Sequence, residues 1–169
     1  MSRIGYAPGA FDLFHIGHLN LLRQAKRQCD FLIAGVVSDD VLITHKGVIP
    51  VIPLAERLEI VGNVRCVDAA LPAMTNDKLE VWRELRFDVL FKGDDWSGTE
   101  KGDQLERDFA AVGVEVVHFP YTTSTSSSTL RRTLQNIDAM AGRAGTDRAF
   151  SNPRATYSGS SAGRKWAGG

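Results

Sequence analysis

The sequence predicts an α/β fold, a doubly wound (Rossmann-like) parallel sheet of about five strands with helices on both faces. Short apolar runs of the kind that form buried parallel strands recur along the chain. Segments with apolar residues at helical spacing lie between them. Three unusual loops, GAFDLFHIGH, GDDWSG and PYTTSTSSS, each follow one of the apolar runs. In such a sheet, loops of this kind meet in one crevice outside the carboxyl ends of the strands.

The predicted elements alternate regularly. Strands are predicted at residues 3–8, 31–38, 67–71, 87–91 and 114–119, and helices at 17–28, 54–64, 77–86 and 103–112. A last helix begins near Ser126 or Ser127, where hydroxyl groups can cap it. Its apolar residues, at intervals of four, three and three, are Leu130, Leu134, Ile137 and Met140. We expect this helix to pack on the sheet.

Length and charge limit the classes of protein. A chain of 169 residues has room for one domain and a tail, which we place at residues 1–141 and 142–169. The tail is rich in Gly, Ser and Arg and has no period, so we expect it to be disordered. The net charge of zero and the absence of a basic stripe argue against a nucleic-acid partner. With no apolar run that could span a bilayer and no secretion signal, we expect a cytoplasmic protein.

The stretch GAFDLFHIGHLNLL, residues 9–22, has the features of a phosphate site. A helix that begins near Ile16 would place His15 and His18 on one side of its first turn. Helix N-termini carry N–H groups without intrahelical partners and the positive end of the helix dipole, so they suit phosphate. Gly9 would let the backbone come close to that phosphate. The pattern therefore predicts a phosphate-binding loop after the first strand.

Further motifs follow in a fixed order. They are SDD at 38–40, HKG at 45–47, PLAERLEIVGNVRCVD at 53–68, FKGDDWSG at 91–98 and a Ser/Thr run before the last helix. From about Ile4 to Leu134 the chain resembles the cytidylyltransferase-like nucleotidyltransferases, in particular the glycerol-3-phosphate cytidylyltransferases. Ethanolamine-phosphate cytidylyltransferases, heptose-phosphate adenylyltransferases and archaeal-type FAD synthetases share the first motif and much of the order. Class I aminoacyl-tRNA synthetases share only the HIGH spelling, and this chain is too short to be one.

The resemblance implies an activity. In this family a phosphate oxygen of the acceptor attacks the α-phosphate of a nucleoside triphosphate, and pyrophosphate leaves. For this chain it implies CTP and a small polyol phosphate as substrates, Mg²⁺ bound with the triphosphate, and a homodimer. We see no carboxylate cluster that would form a metal site built by the protein alone. Two alternatives stay open: an adenylyltransferase acting on a sugar phosphate or flavin, and a nucleotide-binding sensor or scaffold without turnover.

The same resemblance implies roles for particular residues. The implied catalytic residues are His15, His18, Lys46 and Arg65, and the implied acceptor-binding residues are Lys46, Arg65 and Lys78. The implied nucleotide-binding residues are Gly9, Ala10, Phe11, Gly17, Gly93, Asp94, Asp95, Trp96, Tyr121, Thr122, Ser126, Ser127 and Ser128. We expect Lys46 to lie in a flexible stretch, where a mobile charge can follow the phosphoryl group. Arg57 is assigned structural or dimer contacts.

Two features bear on the nucleotide. The GDDW loop resembles that of the glycerol-phosphate enzymes, and an Asp side chain can accept a hydrogen bond from the exocyclic amine of cytosine, so CTP is favoured over ATP. Ala10, however, stands where the family commonly has Thr, and Tyr121 stands where close relatives have Arg. The loss of a charge-assisted contact weakens phosphate binding. These departures are the motive for the sensor alternative.

Overall fold

The structure, a computed structural model, describes residues 2–94, 98–120 and 125–143. Its five strands form one parallel sheet in the order β3-β2-β1-β4-β5. The strands are β1 (Ile4–Gly9), β2 (Phe31–Val37), β3 (Ala69–Ala73), β4 (Val89–Gly93) and β5 (Glu115–Phe119). The strand order reverses at β1, so a crevice opens between β1 and β4 at their carboxyl ends. The predicted fold class is confirmed.

Helices cover both faces of this sheet. They are α1 (Ile16–Lys26), α2 (Asp39–Lys46), α3 (Leu54–Gly62), α4 (Lys78–Leu85), α5 (Glu100–Ala110) and α6 (Ser127–Arg143). On one face Leu22 of α1 and Val61 of α3 are fully buried against β1 and β2. On the other face Phe109 of α5 and the partly buried Trp82 of α4 pack around Tyr6. The two apolar faces of a nearly continuous apolar sheet are thereby removed from water.

Helix α2 was not predicted. Ser38 caps it by accepting a hydrogen bond from the Val41 N–H at 3.3 Å, and it ends at Gly47, whose φ of 62° is the left-handed conformation that favours glycine. The helix has eight residues and buries only Leu42, so its apolar pattern is too short to be recognised. Lys46 is therefore the last residue of a helix, and the expectation of a flexible stretch was wrong.

Helix α6 projects from the body. Every residue from 132 to 140 is exposed, including the apolar Leu134 (43%), Ile137 (56%) and Met140 (72%). The expectation that this helix packs on the sheet was wrong, because its apolar spacing does not specify what it faces. The predicted tail lies outside the described residues from residue 144 onward. Among the helices that the structure describes, none has the length and apolar character needed to cross a membrane.

Candidate active site

A cavity of about 460 Å³ opens at the carboxyl ends of the strands. The carboxyl ends of the strands and the segments that follow β1, β2, β3 and β5 contribute to its wall, as expected for a doubly wound sheet. Most of the described residues that were predicted to bind substrate line it. They are Gly9, Ala10, Phe11, His15, Gly17, His18, Lys46, Lys78, Gly93, Ser126, Ser127 and Ser128.

Some predicted site residues are not in the wall. Arg65 is exposed and lies in the segment that enters β3, which is the amino edge of the sheet, while the cavity lies at the carboxyl edge. The structure therefore does not bring Arg65 to the site that was predicted for it. Asp94 directly follows β4 but is not part of the lining. The predicted residues Asp95, Trp96, Tyr121 and Thr122 lie outside the described residues.

The two histidines form a capping box at the start of α1. His15 is the N-cap, and its Nδ1 accepts a hydrogen bond from the Gly17 N–H at 3.0 Å. His18 accepts from the His15 N–H through its own Nδ1 at 3.4 Å, and the ring centroids are 4.0 Å apart. Because both Nδ1 atoms act as acceptors, the proton of each neutral ring is on Nε2. The pair therefore offers two Nε2–H donors at the cavity wall.

The surroundings keep both rings neutral. Burial lowers the pKa of His15, and burial together with the adjacent His15 lowers the pKa of His18 to about 4, although Asp12 acts in the opposite direction. Near pH 7 these side chains are accordingly uncharged donors. Such donors can stabilise charge that develops on a phosphoryl oxygen without acting as bases.

Glycine at position 17 is required by the His15 ring. A Cβ atom at this position would lie 2.8 Å from Cε1 and 2.9 Å from Nδ1 of His15. These separations are too short for carbon, so the imidazole would have to move. The central glycine of HIGH thus lets the N-cap side chain fold back over its own helix.

We expect Gly17→Ala to lower turnover by about 100-fold, because a displacement near 1 Å at a reacting centre has that order of effect. The fold should survive, since Ala has a higher helix propensity than Gly. Steady-state kinetics together with thermal unfolding would check both parts. Gly62→Ala is the matched control, because its added Cβ would have one neighbour, the Ala70 Cβ at an ordinary 3.7 Å. Turnover in Gly17→Ala equal to that of the control would contradict the steric argument.

The loop between β1 and α1 has an unusual backbone. Phe11 and Leu13 have φ values of 51° and 50°, in the left-handed region that non-glycine residues rarely adopt. The buried Phe11 ring packs edge-on against His18, with centroids 5.4 Å apart, and leaves only 3.0 Å to a Cβ added at Gly9. Gly9 and Phe11 therefore support the histidine pair from the sheet side.

Arg57 holds this loop in place. Its guanidinium is fully buried and donates to the Val37 and Ile52 carbonyl oxygens at 2.8 Å each, and also to the Ala10 carbonyl oxygen. It also forms an ion pair with Asp39. One side chain thus joins the signature loop, the end of β2 and the segment before α3. The structural assignment made for Arg57 is confirmed.

Lysines give the cavity a positive charge. Lys46, Lys78 and Lys92 all line it, and the Lys78 Nζ donates to the Asn76 carbonyl oxygen at 3.2 Å. Burial lowers the pKa of Lys78, and the charge of Lys46 lowers it further, although Asp77 acts in the opposite direction. No Asp or Glu is found among the described residues of the wall. The cavity is suited to polyanions.

The comparison with known families agrees with this geometry. The model of the cytidylyltransferase-like family matches residues 6–134. The chain belongs to the cytidylyltransferase-like family of nucleotidyltransferases. The match spans β1 to the first half of α6 and so contains every described residue of the cavity wall.

Individual relatives are similar over part of their length. Over 95 residues, 53% of this chain, it is 42% identical to an ethanolamine-phosphate cytidylyltransferase of Arabidopsis thaliana. Over 116 residues, 68% of this chain, it is 40% identical to the bifunctional protein HldE of Gluconacetobacter diazotrophicus. The aligned part is 22% of each of those proteins, so this chain spans about a fifth of their length.

Solved structures of similar fold include a lipopolysaccharide core biosynthesis protein from Thermoplasma volcanium. It superposes with a TM-score of 0.62 at 24% identity and covers 74% of this chain and 100% of that one. A pantoate-beta-alanine ligase from Francisella tularensis superposes with a TM-score of 0.53 at 15% identity, over 83% of this chain and 72% of that one. These similarities support the fold of the family.

The structure adds Asp12, His45 and Lys92, to which the sequence assigned no role. Asp12 lies within the signature but only 2% of it is exposed, and Arg131 of α6 pairs with it at 2.6 Å. His45 and Lys92 line the cavity. Both occur in motifs that had been noted, HKG and FKGDD, so their position beside an implied ligand was the available signal.

Proposed function

We propose that this protein is a cytidylyltransferase that transfers CMP from CTP to a small polyol phosphate, such as glycerol 3-phosphate, and releases pyrophosphate. The observation that carries the proposal is the convergence of two neutral histidine donors and three lysines on one cavity at the switch point of the sheet. Polyanions that must be brought together require donors and positive charge in a fixed array. The cavity has both.

In the proposed reaction the bond changes take place between the two substrates, and the protein positions them and stabilises charge. An oxygen of the acceptor phosphate forms a bond to the α-phosphorus, and the bond from that phosphorus to the oxygen that bridges to the β-phosphate breaks. The acceptor phosphate is already ionised near pH 7, so no general base is needed. The Nε2–H groups of His15 and His18 would donate to the phosphoryl oxygens as charge grows on them. Lys46 and Lys78 would bind the acceptor phosphate, whose negative charge would offset the repulsion between the two ammonium groups.

The positive charge of the cavity wall favours an acceptor without an ammonium group. One similar protein is named for ethanolamine phosphate, which has an ammonium group. An ammonium group buried here would need a carboxylate partner, and the described part of the wall has three lysines and no Asp or Glu. A polyol phosphate fits better, because its hydroxyl groups can bond to neutral side chains such as Thr75 and Asn76 of the wall.

The nucleotide is proposed as CTP on three grounds. The family is described as cytidylyltransferase-like, one similar protein is named a cytidylyltransferase, and Gly93, which begins the GDDW loop, lines the cavity. Among the described residues there is no group of three or more His, Cys, Asp or Glu that could hold a metal. Mg²⁺ would therefore be bound by the triphosphate itself, where it neutralises charge on the departing pyrophosphate.

The test is pyrophosphate release by the purified protein with Mg²⁺. CTP and ATP are each combined with glycerol 3-phosphate, sugar phosphates, phosphoethanolamine and phosphocholine. We expect release with CTP and a polyol phosphate and little release with the two cationic acceptors. Release with ATP alone would make the protein an adenylyltransferase. A rise in melting temperature with nucleotide but no release with any acceptor would make it a nucleotide sensor.

The resemblance also supports a homodimer, and we propose that it works in the cytoplasm. Strand β3 lies at the edge of the sheet and has Leu71 exposed, with Met74 following it at 64% exposure. A second copy could cover this apolar surface. Sedimentation of the purified protein would report a monomer if the dimer does not form.

A further inference from the structure

Asp12 joins three segments of the chain, two of which, the signature loop and the start of α6, line the cavity. Its carboxylate, 2% exposed, accepts hydrogen bonds from the Val51 N–H at 3.0 and 3.1 Å and from the Ile52 N–H at 2.9 Å. It also accepts from the Arg131 guanidinium at 2.6 Å. These N–H groups lower the pKa of Asp12, against the effect of burial. The signature loop, the segment before α3 and helix α6 therefore meet at one carboxylate.

The start of α6 makes a further bond to the same residue. Ser127 Oγ donates to the Asp12 carbonyl oxygen at 2.8 Å, and residues 132–140 are all exposed. The segment that leads into α6 nonetheless comes close to the histidine helix, since the Thr125 carbonyl oxygen would be 3.7 Å from a Cβ at Gly17. The bonds to Asp12 thus connect the start of α6, and the hydroxyl groups that line the cavity there, to the signature loop.

We infer that Arg131 is a positioning residue, which acts through Asp12 to hold the start of α6 and residues 51–52 against the signature loop. Arg131 is not among the residues that line the cavity, and its ion pair with Asp12 is the contact through which it would act on the substrate site. This inference rests on the proposed function, because it assigns the positioned groups to the triphosphate. Without Arg131 the buried carboxylate would keep only backbone donors, and a buried charge without its cationic partner rearranges.

The first experiment compares Arg131→Ala with Arg132→Ala. Arg132 is the next residue of the same helix, so its replacement by Ala matches the change in charge and helix propensity. It is exposed and does not line the cavity, so no effect on substrate binding is expected. We expect the KM for CTP to rise about 10- to 100-fold in Arg131→Ala and to stay near the wild-type value in Arg132→Ala. Added guanidinium should partly restore the KM of Arg131→Ala alone. Equal KM values in the two variants would overturn the inference.

A second measurement separates this inference from the proposed function. Hydrogen exchange at the Val51 and Ile52 amides reports their bonds to Asp12 whether or not any substrate turns over. Exchange should be faster in Arg131→Ala than in Arg132→Ala, and equal rates would count against the positioning role. A wild-type protein without turnover would instead contradict the proposed function. If Arg131→Ala does not fold, Arg131→Lys replaces it, because Lys keeps the charge but loses the planar fork.

Discussion

Replacing either histidine of the pair by asparagine is expected to lower turnover by about 10²- to 10³-fold while the protein stays folded. The reason is that the two ring nitrogens have different roles, Nδ1 as an acceptor and Nε2 as a donor. Nδ1 of His15 and of His18 each accept a backbone hydrogen bond, which leaves Nε2–H as the donor to the phosphoryl oxygens in the proposed reaction. The Asn side chain oxygen can take over the acceptor role of Nδ1, and Asn is a good N-cap residue. It has no donor at the position of Nε2.

The experiment combines single-turnover kinetics with thermal unfolding of His15→Asn, His18→Asn and the corresponding Ala variants. The Asn variants should melt close to the wild type, and the Ala variants at lower temperature, since they lose the cap as well. In all four variants the rate of the chemical step should be lower than in the wild type. If the Asn variants kept near wild-type turnover, the Nε2 donors would have no part in the reaction. A comparable loss of kcat in Gln variants would indicate that donor position matters at the level of a fraction of an ångström.

The sequence could predict what is local. Each of the five strands was recognised because a buried parallel strand is a continuous apolar run, and the His15 to His18 arrangement follows from spacing within one turn. Helix α2 was missed since it buries only Leu42. The direction in which α6 points was wrong, because an apolar stripe tells which side of a helix is buried only if something packs there.

The supports of the site could not be predicted in this way. Asp12 is bonded to Arg131, 119 positions later, and Arg57 is bonded to Ala10, 47 positions earlier. No local period encodes such pairs, because they depend on how separate βα units come together. For the same reason Arg65 was assigned to the cavity from its motif, although its place before β3 puts it at the other edge of the sheet. A residue's motif indicates chemistry, but the strand end that it follows decides whether it reaches the site.

Arg57→Met is expected to lower the free energy of unfolding by roughly 3–5 kcal/mol. The guanidinium has no exposed surface, and removing it leaves the carbonyl oxygens of Ala10, Val37 and Ile52 without their donor. Buried acceptors that lose a charged donor cannot be compensated by a methionine of similar length. Arg57→Lys should fall between Met and the wild type, because one ammonium group cannot reach the same set of acceptors.

Urea denaturation of the three proteins would measure this loss, with Arg83→Met as the control. Arg83 is exposed on α4, so its replacement should change the unfolding free energy by less than about 0.5 kcal/mol. A loss in Arg57→Met as small as in the control would mean that the signature loop does not depend on this guanidinium. A large loss would connect stability to chemistry, because Arg57 bonds the loop at Ala10, five residues before His15. The same interactions that stabilise the fold would then also fix the signature loop, with its two left-handed residues, that positions His15 and His18.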